Sequence, residues 1–305
     1  MGKGALSLLP CPFCLSLSRD VPSMSFIAIV GGGALGGALA HKLAARGNVP
    51  EVRLIDPEGA VARGKALDIL QSAPIEGFST RVSAADSLAA AAGAEVIVIA
   101  DSPAKGEHHG DTGLGLLREL VRLDTTAPIV CAGALHRELI ARAVVELHIP
   151  AARIVGSAPL ALESAVRALA GLILDSSGVE VSLRVLGVPP GRAVVAWEEG
   201  AAFGQPLTAQ LRPHEIAALS ARIPGLWPPG AYALSSAAAR IVEAIAAGGS
   251  RRRYSCFVAV RRTAAAMPVV LGSEGVRAVL QPVLTRQEQT ALDNALGDGT
   301  VTRPI

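Results

Sequence analysis

The chain has 305 residues, 50% of them hydrophobic, 18% charged and only 3% aromatic, so its apolar content is mostly Ala, Val and Leu. That length exceeds one small core and predicts two domains or one large α/β unit. A formal net charge of +2 gives no ground for a nucleic-acid partner, and Arg251-Arg252-Arg253, a basic run without interleaved aromatics, is expected in a solvated loop. Uninterrupted apolar runs fall short of the ~18 residues a membrane helix needs, and the mean hydropathy of +0.44 reflects alanine.

The first segment, residues 1–23, is weakly basic and broken by Pro10 and Pro12, so it reads as a disordered extension or an over-called start rather than a signal peptide. It contains Cys11 and Cys14, which have the spacing of a metal or redox pair but no second pair or His partner, so no metal is expected. With Cys131 and Cys256 they make no disulfide framework, and a reducing, cytoplasmic compartment follows. From residue 26 the pattern is regular. "FIAIV" is a buried strand, "ALGGALAHKLAARG" a helix closed by Gly47, and "EVRLID" a second strand. "GKALDILQSA" is a helix, "AEVIVIA" a strand ending at Ala100, "TGLGLLRELVRLDTT" a helix and "PIVCAG" a strand. This alternation predicts an α/β fold with a Rossmann-type doubly wound parallel sheet over residues 24–157. Past about residue 157 "LESAVRALAGLIL" is helical. "VEVSLRVLG" and "RAVVAWEE" are strands flanking a Pro189-Pro190-Gly191 turn, "SSAAARIVEAIAAG" is a helix, "YSCFVAV" and "MPVVLG" are strands, and "TRQEQTALDNALG" is a last helix. The short connections predict a mixed α+β second domain over residues 158–305.

The chemistry concentrates first at "IAIVGGGALGG". Gly31, Gly33 and Gly36 have GxGxxG spacing between a strand and a helix, and Asp56 ends the next strand 20 residues after Gly36. Gly31 permits the tight turn, Gly33 lets backbone approach a pyrophosphate, and Gly36 lets helix and strand pack closely. Gly33, Ala34, Leu35 and Gly36 would offer free N–H groups at the helix start, where the dipole favours an anion. Asp56 is placed to accept from ribose hydroxyls and to repel a 2′-phosphate, which selects NAD over NADP. With Ala100 at the end of the fourth predicted strand, these are the expected cofactor-binding residues.

Beyond this motif, "IVGGGALGG", "GKALDILQSAPIEGF", "AGAEVIVIA", "RIVGSA", "MPVVLGSEGVRAVL" and "ALDNAL" resemble the malate/lactate dehydrogenase family, closest to its tetrameric-type malate dehydrogenase branch, from Phe26 to about Gly297. The resemblance implies a Rossmann domain, a substrate domain, a homo-oligomer and NAD. It also implies a His that takes the hydroxyl proton, a carboxylate that holds it, and arginines that grip a small anionic substrate. At those positions this chain has Pro189 for the His, Ala104 and Gly110 for two arginines, and Val166 or Ala165 for the third. The carboxylate position falls on Glu163 in one register and on Leu162 in the other, and the family's Asn turn reads Ala132-Gly133-Ala134. Asp101 stands where the family has a Gly close to the cofactor.

Losing a general acid/base costs ~10²–10⁴ in rate, and each missing charge-assisted contact about 1.5–3 kcal/mol. No catalytic residue is assigned, and the expectation is an impaired homologue that acts by binding or assembly. The alternative is an oxidoreductase on a different hydroxy or oxo acid, with His108, His109 or Glu163 as relocated groups. "GEHHGD" gathers Glu107, His108, His109 and Asp111 in one loop, expected to be solvated. Glu198-Glu199 are expected to face solvent, the scattered His41, His136, His148 and His214 to lie at the surface or on helix faces, and Trp197 and Trp227 to be packing anchors.

Overall fold

The computed structural model describes residues 25–123, 125–261 and 263–297. The Cys11/Cys14 pair and the extension to residue 23 lie outside the described residues. In chain order the first half runs β1 (Ile27–Val30), α1 (Ala34–Arg46), β2 (Glu51–Ile55), α2 (Gly59–Glu76), β3 (Arg81–Ala85) and β4 (Val96–Ile99). A small hairpin of β5 (Asp101–Ser102) and β6 (Gly106–Glu107) follows, then α3 (Gly110–Arg122), β7 (Ile129–Cys131), α4 (His136–Glu146) and β8 (Ile154–Gly156). The second half has α5 (Ala158–Ile173), β9 (Val181–Ser182), β10 (Val185–Val188), β11 (Arg192–Val195), β12 (Ala201–Ala202) and β13 (Gln205–Pro206). Then come α6 (Leu207–Gln210), α7 (Pro213–Arg222), α8 (Ala231–Ala246), β14 (Gly249–Val260), β15 (Thr263–Gly272), β16 (Gly275–Val279) and α9 (Arg286–Leu296).

Six of the eight first-half strands lie in the order β3-β2-β1-β4-β7-β8 and all pair parallel. This is the doubly wound order, and it reverses between β1 and β4. Every residue of β1, β4, β7 and β8 is buried, as strands covered by helices on both faces must be. Each fully buried Ile or Val there contributes roughly 1.5–3 kcal/mol. Helix α1 ends because Gly47 adopts the left-handed conformation and donates its N–H to the Ala44 carbonyl, and α1 packs against α8.

Strands of the second half join the same sheet, giving 11 strands in all. The junction is antiparallel, Phe257 of β14 opposite Gly156 of β8. Only a glycine fits there, since a Cβ at Gly156 would stand 2.8 Å from Ile140 and 2.9 Å from Phe257. Beyond it β15, β10 and β11 continue as antiparallel neighbours. A second core, with Leu162, Val166, Val185, Val195 and Trp197, lies between α5 and these strands. Trp227 meets Phe257 edge-on at 5.9 Å, so both tryptophans are packing residues.

Several local expectations change. Arg251–Arg253 are exposed but belong to β14 rather than a loop, because β15 pairs with that stretch from Arg253 onward. Glu199 is half-buried and ion-paired to Arg253 at 2.6 Å instead of facing solvent. His136 is fully buried, not a surface residue. Among the described residues no helix is long and apolar enough to cross a membrane.

Candidate functional site: a glycine cradle closed by a carboxylate

The crevice lies at the carboxyl ends of β1 and β4, where strand order reverses and ligands of such sheets bind. Gly31 leaves β1 at φ 115° and donates its N–H to the Ile55 carbonyl. A Cβ there would stand 2.5 Å from the Asp101 carbonyl oxygen, so the turn requires glycine on two counts. Gly36 is equally constrained: its Cβ would stand 1.9 Å from the Gly31 carbonyl oxygen and 3.4 Å from the Ala100 methyl. Ala100 is fully buried. Gly33 precedes the first helical residue, Ala34, which is exposed. Asp56, 1% exposed, accepts the Gly32 N–H at 2.7 Å and the Glu58 N–H at 2.9 Å. All seven residues expected from the sequence therefore meet at this one crevice.

Two further residues shape it. Lys65, half-buried on α2, donates to the Gly33 carbonyl at 2.5 Å. Asp101 turns its carboxylate onto the start of α1, where Oδ1 accepts the Gly36 N–H at 2.8 Å and Oδ2 the Leu35 N–H at 3.1 Å. Its carbonyl accepts the Gly33 N–H at 2.8 Å. A Cβ on Gly33 would stand 2.3 Å from the Asp101 Cγ, so the carboxylate fills the space the glycine leaves open. The cradle fits an anion at these N–H groups, but one from the chain itself already holds them.

The loop that follows disperses its polar groups. Glu107 accepts the Leu135 N–H at 2.7 Å, at the start of α4. Asp111 pairs with Arg142 at 2.9 Å. Burial holds the half-buried His108 imidazole below its ordinary 6.5, against the pull of the Asp56 and Asp101 carboxylates. His136 accepts the Gly133 N–H at Nδ1, 3.0 Å, which leaves Nε2 buried without a partner. Burial depresses its imidazole to about 3. Around Gly133, a Cβ would meet Glu107 Oε2 at 2.3 Å and His136 Cε1 at 2.9 Å. Among the described residues, no group of three His, Cys, Asp or Glu could hold a metal ion.

The β10–β11 turn places Pro189, Pro190 and Gly191 between Val188 and Arg192, which face each other across the hairpin. None of the three titrates. Glu163, 2% exposed, is engaged elsewhere: Oε1 takes Arg184 at 3.2 Å, and Oε2 accepts the Ser255 hydroxyl at 2.5 Å. Burial raises this carboxyl above its ordinary 4.5, opposed by Arg184 and the Ser255 hydrogen bond. Arg184 directly precedes Val185, and successive side chains of a strand point to opposite faces. Val185 packs in the second core with Leu162, which leaves Glu163 on the Arg184 side.

A doubly wound sheet with a glycine cradle and an acid at the end of β2 defines the class of dinucleotide-binding folds. Residues 26–122 match the family model described as lactate/malate dehydrogenase, NAD binding domain. The chain is 29% identical over 288 residues to the malate dehydrogenase of Thermomicrobium roseum, covering 87% of this chain and 93% of that protein. It is 28% identical over 291 residues to that of Chloroherpeton thalassium, covering 87% and 93%. Among solved structures it resembles the lactate dehydrogenase of Cryptosporidium parvum complexed with lactic acid and nicotinamide adenine dinucleotide, with TM-score 0.79, 19% identity and coverage of 90% and 95%. It also resembles the Salinibacter ruber malate dehydrogenase, with TM-score 0.76, 23% identity and coverage of 88% and 93%. The chain has a malate/lactate dehydrogenase-like fold, and residues 26–122 match an NAD-binding domain of that type.

Proposed function

We propose that this protein is a malate/lactate dehydrogenase-like NAD-binding protein that has lost the family's catalysis and acts by binding or assembly. Residues 24–157 form the dinucleotide-binding part and residues 158–305 the substrate-type part. Gly31, Gly33, Ala34, Leu35, Gly36, Asp56 and Ala100 are the cofactor-side residues. The observation that carries the impairment is the pairing of an untitratable Pro189-Pro190-Gly191 turn with a Glu163 already committed to Arg184 and Ser255. Proton transfer needs a group within hydrogen-bond reach of the substrate hydroxyl, and this turn offers none. Exposed Leu67, Leu70 and Ile75 along α2 support a homo-oligomer, and the free thiols of Cys131 and Cys256 are in keeping with a cytoplasmic setting.

A hydride-transfer assay over a panel of 2-hydroxy and 2-oxo acids tests the reading, and the expected result is no turnover. A second reading, an oxidoreductase with relocated groups, is favoured by the approach of Glu107 and His136 around Gly133, with His108 near the cradle. Turnover that disappears in His108→Ala or His109→Ala would replace the first reading with this one.

A further inference from the structure

We propose that Asp101 is a built-in occupant of the diphosphate cradle, and so determines what that cradle accepts. The inference rests on the dinucleotide-binding reading above. Its grounds are three contacts that converge on one helix start. The carboxylate bridges the Leu35 and Gly36 N–H groups at 3.1 and 2.8 Å, and the same residue's carbonyl takes the Gly33 N–H at 2.8 Å. These are the donors that a glycine-rich loop presents to a phosphate. The carboxylate also lies within the volume that Gly33 leaves vacant, where even a methyl group would be 2.3 Å from its Cγ. A diphosphate needs the Leu35 and Gly36 N–H groups and the same volume, and it carries the same sign of charge as the carboxylate; the Gly33 N–H stays with the Asp101 backbone carbonyl throughout. The two anions exclude one another.

Displacement has a defined start and end. Asp101 lies on the β5–β6 hairpin, paired with Glu107 across it, so withdrawal takes a side-chain rotation or a shift of that hairpin. Lys65, which donates to the Gly33 carbonyl at 2.5 Å, stays beside the vacated cradle as a cation. Asp56 lies outside the contested volume, hydrogen-bonded to Gly32 and Glu58. The Asp101 carboxylate thus closes the diphosphate part of the cradle, and its contacts do not involve Asp56.

The test is calorimetric titration of the full chain, Asp101→Gly and Asp101→Asn with NADH and, separately, with adenosine, which has no phosphate. Asp101→Gly is expected to bind NADH at least tenfold tighter than the wild type, about 1.4 kcal/mol. Asp101→Asn, which keeps an oxygen acceptor without the charge, is expected between them, and adenosine affinity is expected to stay within about threefold across all three. Without ligand Asp101→Gly should melt lower, having lost two hydrogen bonds, yet show the larger rise on adding NADH; a purely structural role would give only the first effect. Equal NADH affinity in wild type and Asp101→Gly overturns the inference and leaves the dinucleotide reading standing. A parallel tenfold gain for adenosine overturns it too, since the cradle would then not discriminate phosphates. Absence of NADH binding in all three folded proteins overturns the dinucleotide reading itself, and this inference with it.

Discussion

Replacing Glu163 probes the one buried charge that links α5, β10 and β14. Its carboxylate is 2% exposed, takes Arg184 at 3.2 Å and Arg167 at 4.0 Å, and accepts the hydroxyl of Ser255, whose oxygen in turn accepts the Val185 N–H at 3.2 Å. Glu163→Ala would leave the Ser255 hydroxyl without its acceptor and remove the carboxylate that faces Arg184 and Arg167. Removing one partner of a buried pair costs about 3–5 kcal/mol. The arginine side chains are 21% and 28% exposed, so the lower end, roughly 3 kcal/mol, is expected. At roughly 2 °C per kcal/mol for a chain this large, the melting temperature should fall by about 6 °C. The pH dependence is the sharper assay. Burial raises this carboxyl above its ordinary 4.5, so the folded state holds the proton more tightly than the unfolded state. The associated stability is fully present below about 4.5 and is lost as pH rises through the folded value. Glu163→Gln cannot titrate, so the stability gap between wild type and Glu163→Gln, followed by denaturant unfolding over that window, should narrow or reverse as pH rises. If wild type instead gains on Glu163→Gln with rising pH, the arginines outweigh burial and the reasoning fails.

Gly36→Ala places a methyl 1.9 Å from the Gly31 carbonyl oxygen. Forcing β1 and α1 apart should cost at least ~3 kcal/mol in a denaturant melt, and wild-type stability in this variant would contradict the packing described. Gly133→Ala meets Glu107 at 2.3 Å and should cost about 1–3 kcal/mol. The loss should be smaller in a Glu107→Ala background, a non-additivity read by a double-mutant cycle. His136, depressed to about 3 by burial, stays neutral in the folded state while the unfolded chain takes up a proton near 6.5. Its stability is present above that value and lost as pH falls. From about pH 7 to about pH 5 the loss is about 2 kcal/mol, and His136→Asn should show correspondingly less acid sensitivity.

What the sequence made legible was local. The alternation of buried strands and helices, the Gly31-Gly33-Gly36 turn and Asp56 all follow from periodicity and spacing within one βαβ unit, and the structure assembles them as read. β3 escaped because only Val82 of its residues is fully buried and they form no apolar run. β16 depends on pairing with β15 rather than on its own pattern. The position of Asp101 as a departure was visible, but not the direction of its carboxylate, which reaches N–H groups 65 and 66 residues away. His136 looked like a surface or helix-face residue because one polar side chain in a helix does not reveal that Gly133, three residues earlier, donates to it. Glu163 was ambiguous by one register step, and its partners Arg184 and Ser255, 21 and 92 residues away in sequence, were not legible from its local pattern.

The most direct measurement follows the nicotinamide fluorescence of NADH mixed with the full chain, first alone and then after adding a panel of 2-oxo acids. A cradle kept without its proton carrier predicts a saturable signal change on binding, and no decay of that signal when the acids arrive. Oxidation of the bound NADH by any of them would contradict the account.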